Sequence, residues 1–190
     1  MRRFQGRTDL PLDEVGVAQA ESAAKQLERL EPSTMVTSDS LRANQTAQLL
    51  ASRAGLVPVA DPRLREADIG DWEGLTRTEV EERFPEDYLA WRHGIDIRRG
   101  GGETLVEVAA RAGPVVDDIL ARALAGQTVI VVTHAGTARA AIGRMLGLDS
   151  SSWTSLGSLA HGRWAVLEVP FGWRLHEHNV RPRRRCTPGF

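Results

Sequence analysis

Apolar residues recur at helix spacing from Gly16 to Leu30, where Ala20, Ala24, Leu27 and Leu30 share a face, and this predicts a first helix. Met35-Val36-Thr37 reads as a short strand. Ser38 or Asp39 is placed to cap a second helix, with Ala43, Thr46, Leu50 and Ala54 on its apolar face and Gly55 as its stop. Leu56 to Ala60 reads as another short strand, which Pro58 confines to an edge. Two capping boxes follow, Thr76 with Glu79 and Thr104 with Glu107. The first opens a short helix ending near Pro85. The second opens a long helix through Gly113-Pro114 that buries Leu105, Val108, Ala109, Ala112, Val116, Ile119, Leu120 and Ala123. Tyr88 to Gly102 has no clear period and reads as irregular.

Thr128 to Thr133 is apolar without alternation, the pattern of an interior strand covered on both faces. A helix from about Thr137 to Leu146 follows. Trp164–Val169 and Trp173–His176 read as two late strands joined at Pro170-Phe171-Gly172. Met1 to Pro11 reads as a loop and Asp61 to Leu75 as turn-rich. Alternating helices and strands predict a three-layer αβα sandwich around a mostly parallel sheet. The expected organisation is one domain over 1–180 and a basic, disordered tail over 181–190.

Composition narrows the function classes. The 190 residues suit one domain with a real core. A formal net charge of -1 gives no basic field for nucleic acid, and Arg181, Arg183, Arg184 and Arg185 read as a solvated tail. The single cysteine, Cys186, excludes an intrachain disulfide and any paired-cysteine metal site. No apolar run is long enough to span a membrane, and no apolar segment follows Arg2-Arg3 as in a secretory signal. Cytoplasm is the default expectation.

Three residues carry candidate chemistry. His134 ends the buried strand and precedes Gly136 and a helix, where α/β sheets bind ligands. Its ring can donate to a phosphoryl oxygen, act as a base, or merely close the strand on a backbone group. Arg42 stands in the first turn of the second helix, with a fork suited to two phosphoryl oxygens; a plain surface arginine is the alternative. Glu66 can protonate a leaving oxygen, in competition with Asp68, Asp71 and Glu73 of the same loop. Trp72, between Gly70 and Gly74, reads as a packing residue.

Ser38-Asp39-Ser40-Leu41-Arg42, then Leu64-Arg65-Glu66 with Gly70-Asp71-Trp72-Glu73-Gly74, then Val132-Thr133-His134-Ala135-Gly136 resemble the histidine phosphatase superfamily, the phosphoglycerate-mutase-like group. Phe4-Gln5-Gly6-Arg7 and Gly101-Gly102-Glu103-Thr104 are similar to two further segments of that family. The resemblance runs from about Arg3 to Val180. It implies a metal-free, cofactor-free phosphoryl pocket. Arg42, with Gln5 and Gly6 near the pocket mouth or floor, would bind phosphate, and Glu66 and His134 would be catalytic. It also implies a nucleophilic histidine in an Arg-His-Gly motif that ends a first strand.

That first strand and its motif are missing from the sequence. Arg92-His93-Gly94 spells the triplet, but no apolar strand precedes it, and His93 reads as a loop histidine beside Trp91. Either Met1 is an internal methionine of a longer chain or the chain is a shortened member. The function implied is phosphomonoester hydrolysis through a phosphohistidine, with the chain as written inactive for want of the nucleophile. A phosphoglycerate mutase and a non-catalytic binder of phosphorylated ligands are the alternatives. Arg92, His93, Arg98 and Arg99 are candidates to face an acidic substrate. The partners expected are a small phosphorylated substrate and, as an open option, a second copy in a homodimer; no nucleic acid or membrane is expected.

Overall fold

The fold is that of a computed structural model, which describes residues 3–169 and 172–182. Asp13 caps helix α1 (Glu14–Leu27) by accepting from the Gly16 N–H, so this helix starts and ends slightly earlier than its apolar period predicts. Strand β1 (Thr34–Thr37) leads into α2 (Leu41–Ala54), which Gly55 terminates at φ 66°. Strand β2 is only Val59–Ala60, and Pro58 precedes it. β2 pairs with β1, and β1 pairs with β3 (Val129–Val132), both parallel, in the order β2-β1-β3. Helix α6 (Ala135–Met145) follows β3, and β4 (Trp164–Glu168) pairs antiparallel with β5 (Arg174–Val180).

The side-chain alternation of β1 divides the core. Met35 joins Ile130 and Val132 against Ala23, Ala24 and Leu27 of α1 and Ala43, Ala47 and Leu50 of α2. Val36 faces the opposite layer, with Ala112 and Val115 of α5 (Leu105–Arg122) and Ala141 of α6. The arrangement is an α/β sandwich with helices on both faces of a parallel sheet, as expected, and among the described residues no strand precedes α1. β3 is therefore not interior among the described residues. It is an edge, and Val131 is 36% exposed because nothing pairs beyond it.

A second apolar body lies outside α5. Both capping boxes form, at Thr76 for α3 (Arg77–Arg83) and at Thr104 for α5. α3 ends just before Pro85, as expected, but Pro85 then opens α4 (Pro85–Arg92), so Tyr88 to Arg92 is helical rather than irregular. Trp72 is fully buried among Phe4, Phe84 and Trp91. Leu120 is 38% exposed and not core, because α5 docks through Val108, Ala112 and Val115, a face that Leu120 leaves. The expected joining turn at Pro170-Phe171 and most of the expected tail, 183–190, lie outside the described residues.

Candidate active site

Strand ends and helix starts meet at one edge of the sheet. His134 is the residue between β3 and α6, and its carbonyl accepts the first α6 bond, from Ala138 N–H at 2.7 Å. Its Nε2 lies 3.1 Å from the hydroxyls of both Ser38 and Ser40, which end β1 and precede α2. Neither Ser38 nor Asp39 caps α2. Asp9 accepts from the Leu41 N–H at 2.6 Å, which leaves the Ser40 hydroxyl to His134.

Ser40 also lines a cavity of about 100 Å³ with Gly6, Arg7, Asp9, Arg42, Arg65 and Glu66. Arg42 reaches it from α2 and donates to the carbonyls of Gly6 and Thr8, both at 2.8 Å. The Gly6 and Arg7 N–H groups in turn donate to the Glu73 carboxylate at 2.9 Å. Gly6 is buried where a Cβ would meet the Ala67 carbonyl oxygen at 2.7 Å, so only glycine fits this close approach. The N-terminal loop is thus a wall of the cavity.

Glu66 sits against the start of α6. One oxygen accepts from the N–H groups of Ala67 (2.8 Å) and Thr137 (3.1 Å), the other from Gly136 (3.0 Å). A Cβ on Gly136 would collide with this carboxylate. The loop that carries Glu66 hangs on Arg111 of α5, which donates to the carbonyls of Arg63, Arg65 and Glu66 while pairing with Glu103. Burial, the largest single influence on the Glu103 carboxyl, raises it, but the Arg111 guanidinium, the Asp68 N–H and Arg7 together hold it below its usual range.

Burial is the largest influence on His134 and pushes its imidazole down to about 4. The Glu66 carboxylate opposes this, and the guanidiniums of Arg42 and Arg111 add to it. His134 is therefore neutral near pH 7, able to donate one N–H and accept at the other nitrogen. In the unfolded chain the same ring titrates near 6.5, about the ordinary value. Between these values the unfolded state binds more protons, so stability rises with pH. The contribution is complete above about pH 6.5, declines as pH falls, and loses no more below about 4. Urea unfolding at pH 7 and pH 4.5 should differ by a term on the order of 2–3 kcal/mol that His134→Gln removes. An unchanged pH difference in that variant would contradict the buried, neutral ring.

The remaining candidates divide. Gln5 is exposed beside Gly6 and does not line the cavity. Arg92 and His93 end α4 on the surface; Arg92 lies over the Tyr88 ring, 5.9 Å from its centre. Arg98 pairs with Glu107 instead of facing the cavity. Arg99 is half-buried and does not line the cavity, and burial lowers the pKa of its guanidinium. Sequence reasoning gave no site role to Ser40, Thr137 or Arg111, read Ser38 only as a helix cap and weighed Glu73 only as a rival proton donor; the contacts that bring all five to the site span long separations. Among the described residues no cluster of three or more His, Cys, Asp or Glu is placed to hold a metal. No helix among them is long and apolar enough to cross a membrane.

Comparison with known proteins agrees with this geometry. The chain is 37% identical over 172 residues to glucosyl-3-phosphoglycerate phosphatase of Mycobacterium tuberculosis, covering 87% of this chain and 77% of that protein. It is 39% identical over 155 residues to a 2,3-bisphosphoglycerate-dependent phosphoglycerate mutase of Methylobacterium radiotolerans, covering 78% and 73%. The solved complex of a mycobacterial glucosyl-3-phosphoglycerate phosphatase with inorganic phosphate superposes with a TM-score of 0.90 at 36% identity, covering 95% of this chain and 92% of that one. Residues 1–181 match the family model of the histidine phosphatase superfamily (branch 1), and the chain belongs to that family.

Proposed function

We propose that the cavity bounded by Gly6, Ser40, Arg42 and Glu66 is a phosphoryl pocket for a small phosphomonoester, of the kind that a phosphohistidine hydrolase uses. The observation that carries this is the meeting of Arg42, Glu66 and the Ser40–His134 pair at one cavity on the strand-end edge of the sheet. Arg42 clamps phosphoryl oxygens with the donors that the Gly6 and Thr8 carbonyls leave free. Neutral His134 donates to another oxygen. Glu66 is the proton donor for the leaving oxygen, and to act it gives up part of its hold on the α6 backbone.

The nucleophile has no occupant here. All five histidines are described: His93 ends α4, His161, His176 and His178 belong to the β4–β5 region, and His134 alone contacts a residue that lines the cavity, the Ser40 hydroxyl. The chain as written accordingly binds phosphorylated ligands with little or no turnover. The substrates named for the phosphatase and mutase relatives are a glucosyl-3-phosphoglycerate and a phosphoglycerate, whose three-carbon glycerate unit carries a carboxylate as well as the phosphoester. A phosphorylated hydroxy acid is therefore the substrate class that fits best. The mutase relative makes transfer to a second substrate oxygen the alternative outcome once a nucleophile is present.

Calorimetric titration with inorganic phosphate tests the pocket. Binding is expected, and Arg42→Ala should weaken it by about 10-fold or more, the worth of a charge-assisted hydrogen-bond pair. Equal binding by the variant would overturn the assignment.

A further inference from the structure

Ser40 occupies the N-cap position of α2 and does not cap it. A serine in that place ordinarily accepts from a first-turn N–H of its helix. Here the Ser40 hydroxyl accepts from none, and the Asp9 carboxylate takes the Leu41 N–H instead, at 2.6 Å. The freed hydroxyl belongs to a residue that lines the cavity, beside Arg42 and Glu66. His134 is not a lining residue; it contacts the cavity wall through Ser40.

The turn that carries Ser40 is held on two sides. The Ser38 N–H donates to the Val132 carbonyl at 2.9 Å, just past the last residue pair of the β1–β3 ladder. Between the serines, Asp39 accepts from Nε and a terminal nitrogen of Arg65, at 2.7 and 2.6 Å, which ties the turn to the loop of Glu66. Within this frame three polar atoms form a triangle. His134 Nε2 is 3.1 Å from each hydroxyl, and the two hydroxyls are 3.3 Å apart. Ser38 is fully buried, so its hydrogen is spent inside the triangle. With the ring hydrogen on Nε2, the ring donates to Ser38 and Ser38 donates to Ser40. With Nε2 bare, Ser38 donates to the ring. In both tautomers the triangle closes without the Ser40 hydrogen, and Ser40 is the member that lines the cavity.

We infer that Ser40 is a phosphoryl-binding residue, whose hydroxyl donates to an oxygen of the bound anion with His134 hydrogen-bonded behind it. This rests on the proposed phosphomonoester pocket and names the group by which the hydrogen that His134 donates acts on the anion. A bound anion favours the ring hydrogen on Nε2, because the ring, Ser38 and Ser40 then donate in one direction and each bond strengthens the next.

Calorimetric titration of the full chain and its variants with inorganic phosphate tests this. Ser40→Ala should weaken binding by about 10-fold or more, as expected for a hydrogen bond to a charged group. Its melting temperature should stay near that of the parent chain, since the hydroxyl caps nothing. Ser40→Thr keeps the hydroxyl and should bind within about 3-fold of the parent. The losses from Ser40→Ala and His134→Ala should be less than additive in the double variant, because both groups lie on one hydrogen-bonded chain. Undiminished binding by Ser40→Ala overturns the role of Ser40, and a loss in Arg42→Ala measured alongside leaves the proposed pocket standing. A loss in Ser40→Thr equal to that in Ser40→Ala also overturns it, since the site then depends on shape and not on the hydroxyl. Strictly additive losses overturn the link to His134. Failure of phosphate to bind the parent chain overturns the role of Ser40 and the pocket together.

Discussion

An extension of the chain ahead of Arg3 by an apolar strand ending in Arg-His-Gly is expected to raise hydrolysis of p-nitrophenyl phosphate by about 10⁴-fold or more, the scale on which loss of a nucleophile acts. Two observations say where such an added strand would sit. β3 ends the parallel sheet with an unpaired edge and a 36% exposed Val131, so it offers a ladder to one more strand. Its C-terminal end delivers His134 to Ser40, which lines the cavity, and a strand alongside would deliver its own last residues to the same edge. The extended chain should also unfold more cooperatively, since the open edge is covered. No divalent metal should be needed, because Arg42, the added arginine and His134 supply the positive clamp. An extended chain that folds, as judged by cooperative melting, yet stays inactive would refute this account of the missing nucleophile.

In that extended chain, His134→Ala and Arg42→Ala should each lower turnover by roughly 10²-fold or more, because each removes a donor from the transferring group. The burial of His134 sharpens the expectation for the first, since a donor in a dry site acts without screening by water. Glu66→Gln should behave differently. Its carboxylate is held by Ala67, Gly136 and Thr137, all of which an amide oxygen can still satisfy in part, so the fold should survive. The loss should be large for an alkyl phosphate, whose leaving oxygen needs a proton, and small for p-nitrophenyl phosphate, whose leaving group does not. Equal losses on both would make Glu66 a cap of α6 and nothing more. Steady-state rates on the two substrates decide this.

What the chain disclosed in advance was its local grammar. The capping boxes at Thr76 and Thr104 and the glycine stop at Gly55 each depend on residues within one turn, and they form as written. The apolar run at Val129–Val132 placed His134 between a strand and a helix for the same reason. Pro85 marked the stop of α3 correctly, but a proline also suits the first turn of a helix, and that second use makes Tyr88 to Arg92 helical where no period was legible. β3 read as interior because its apolar run was judged without its neighbours. The site's supports were silent for a further reason. Arg111 reaches Arg63, Arg65 and Glu66 over more than 40 positions, and Asp9 replaces the cap of α2 from another segment. Contacts of that range leave no period and no local motif.

The central claim, a phosphoryl-binding pocket at which Arg42 and His134 act together, is tested most directly by the His134 ring itself. Its imidazole titration is to be followed by NMR in the chain as given, with and without saturating inorganic phosphate. The free ring should titrate near 4. A bound dianion beside it favours the imidazolium, so phosphate should raise that value by about one unit or more, and Arg42→Ala should abolish the rise. A His134 titration that phosphate leaves untouched, at concentrations where calorimetry reports full binding, would place the anion elsewhere and contradict the account.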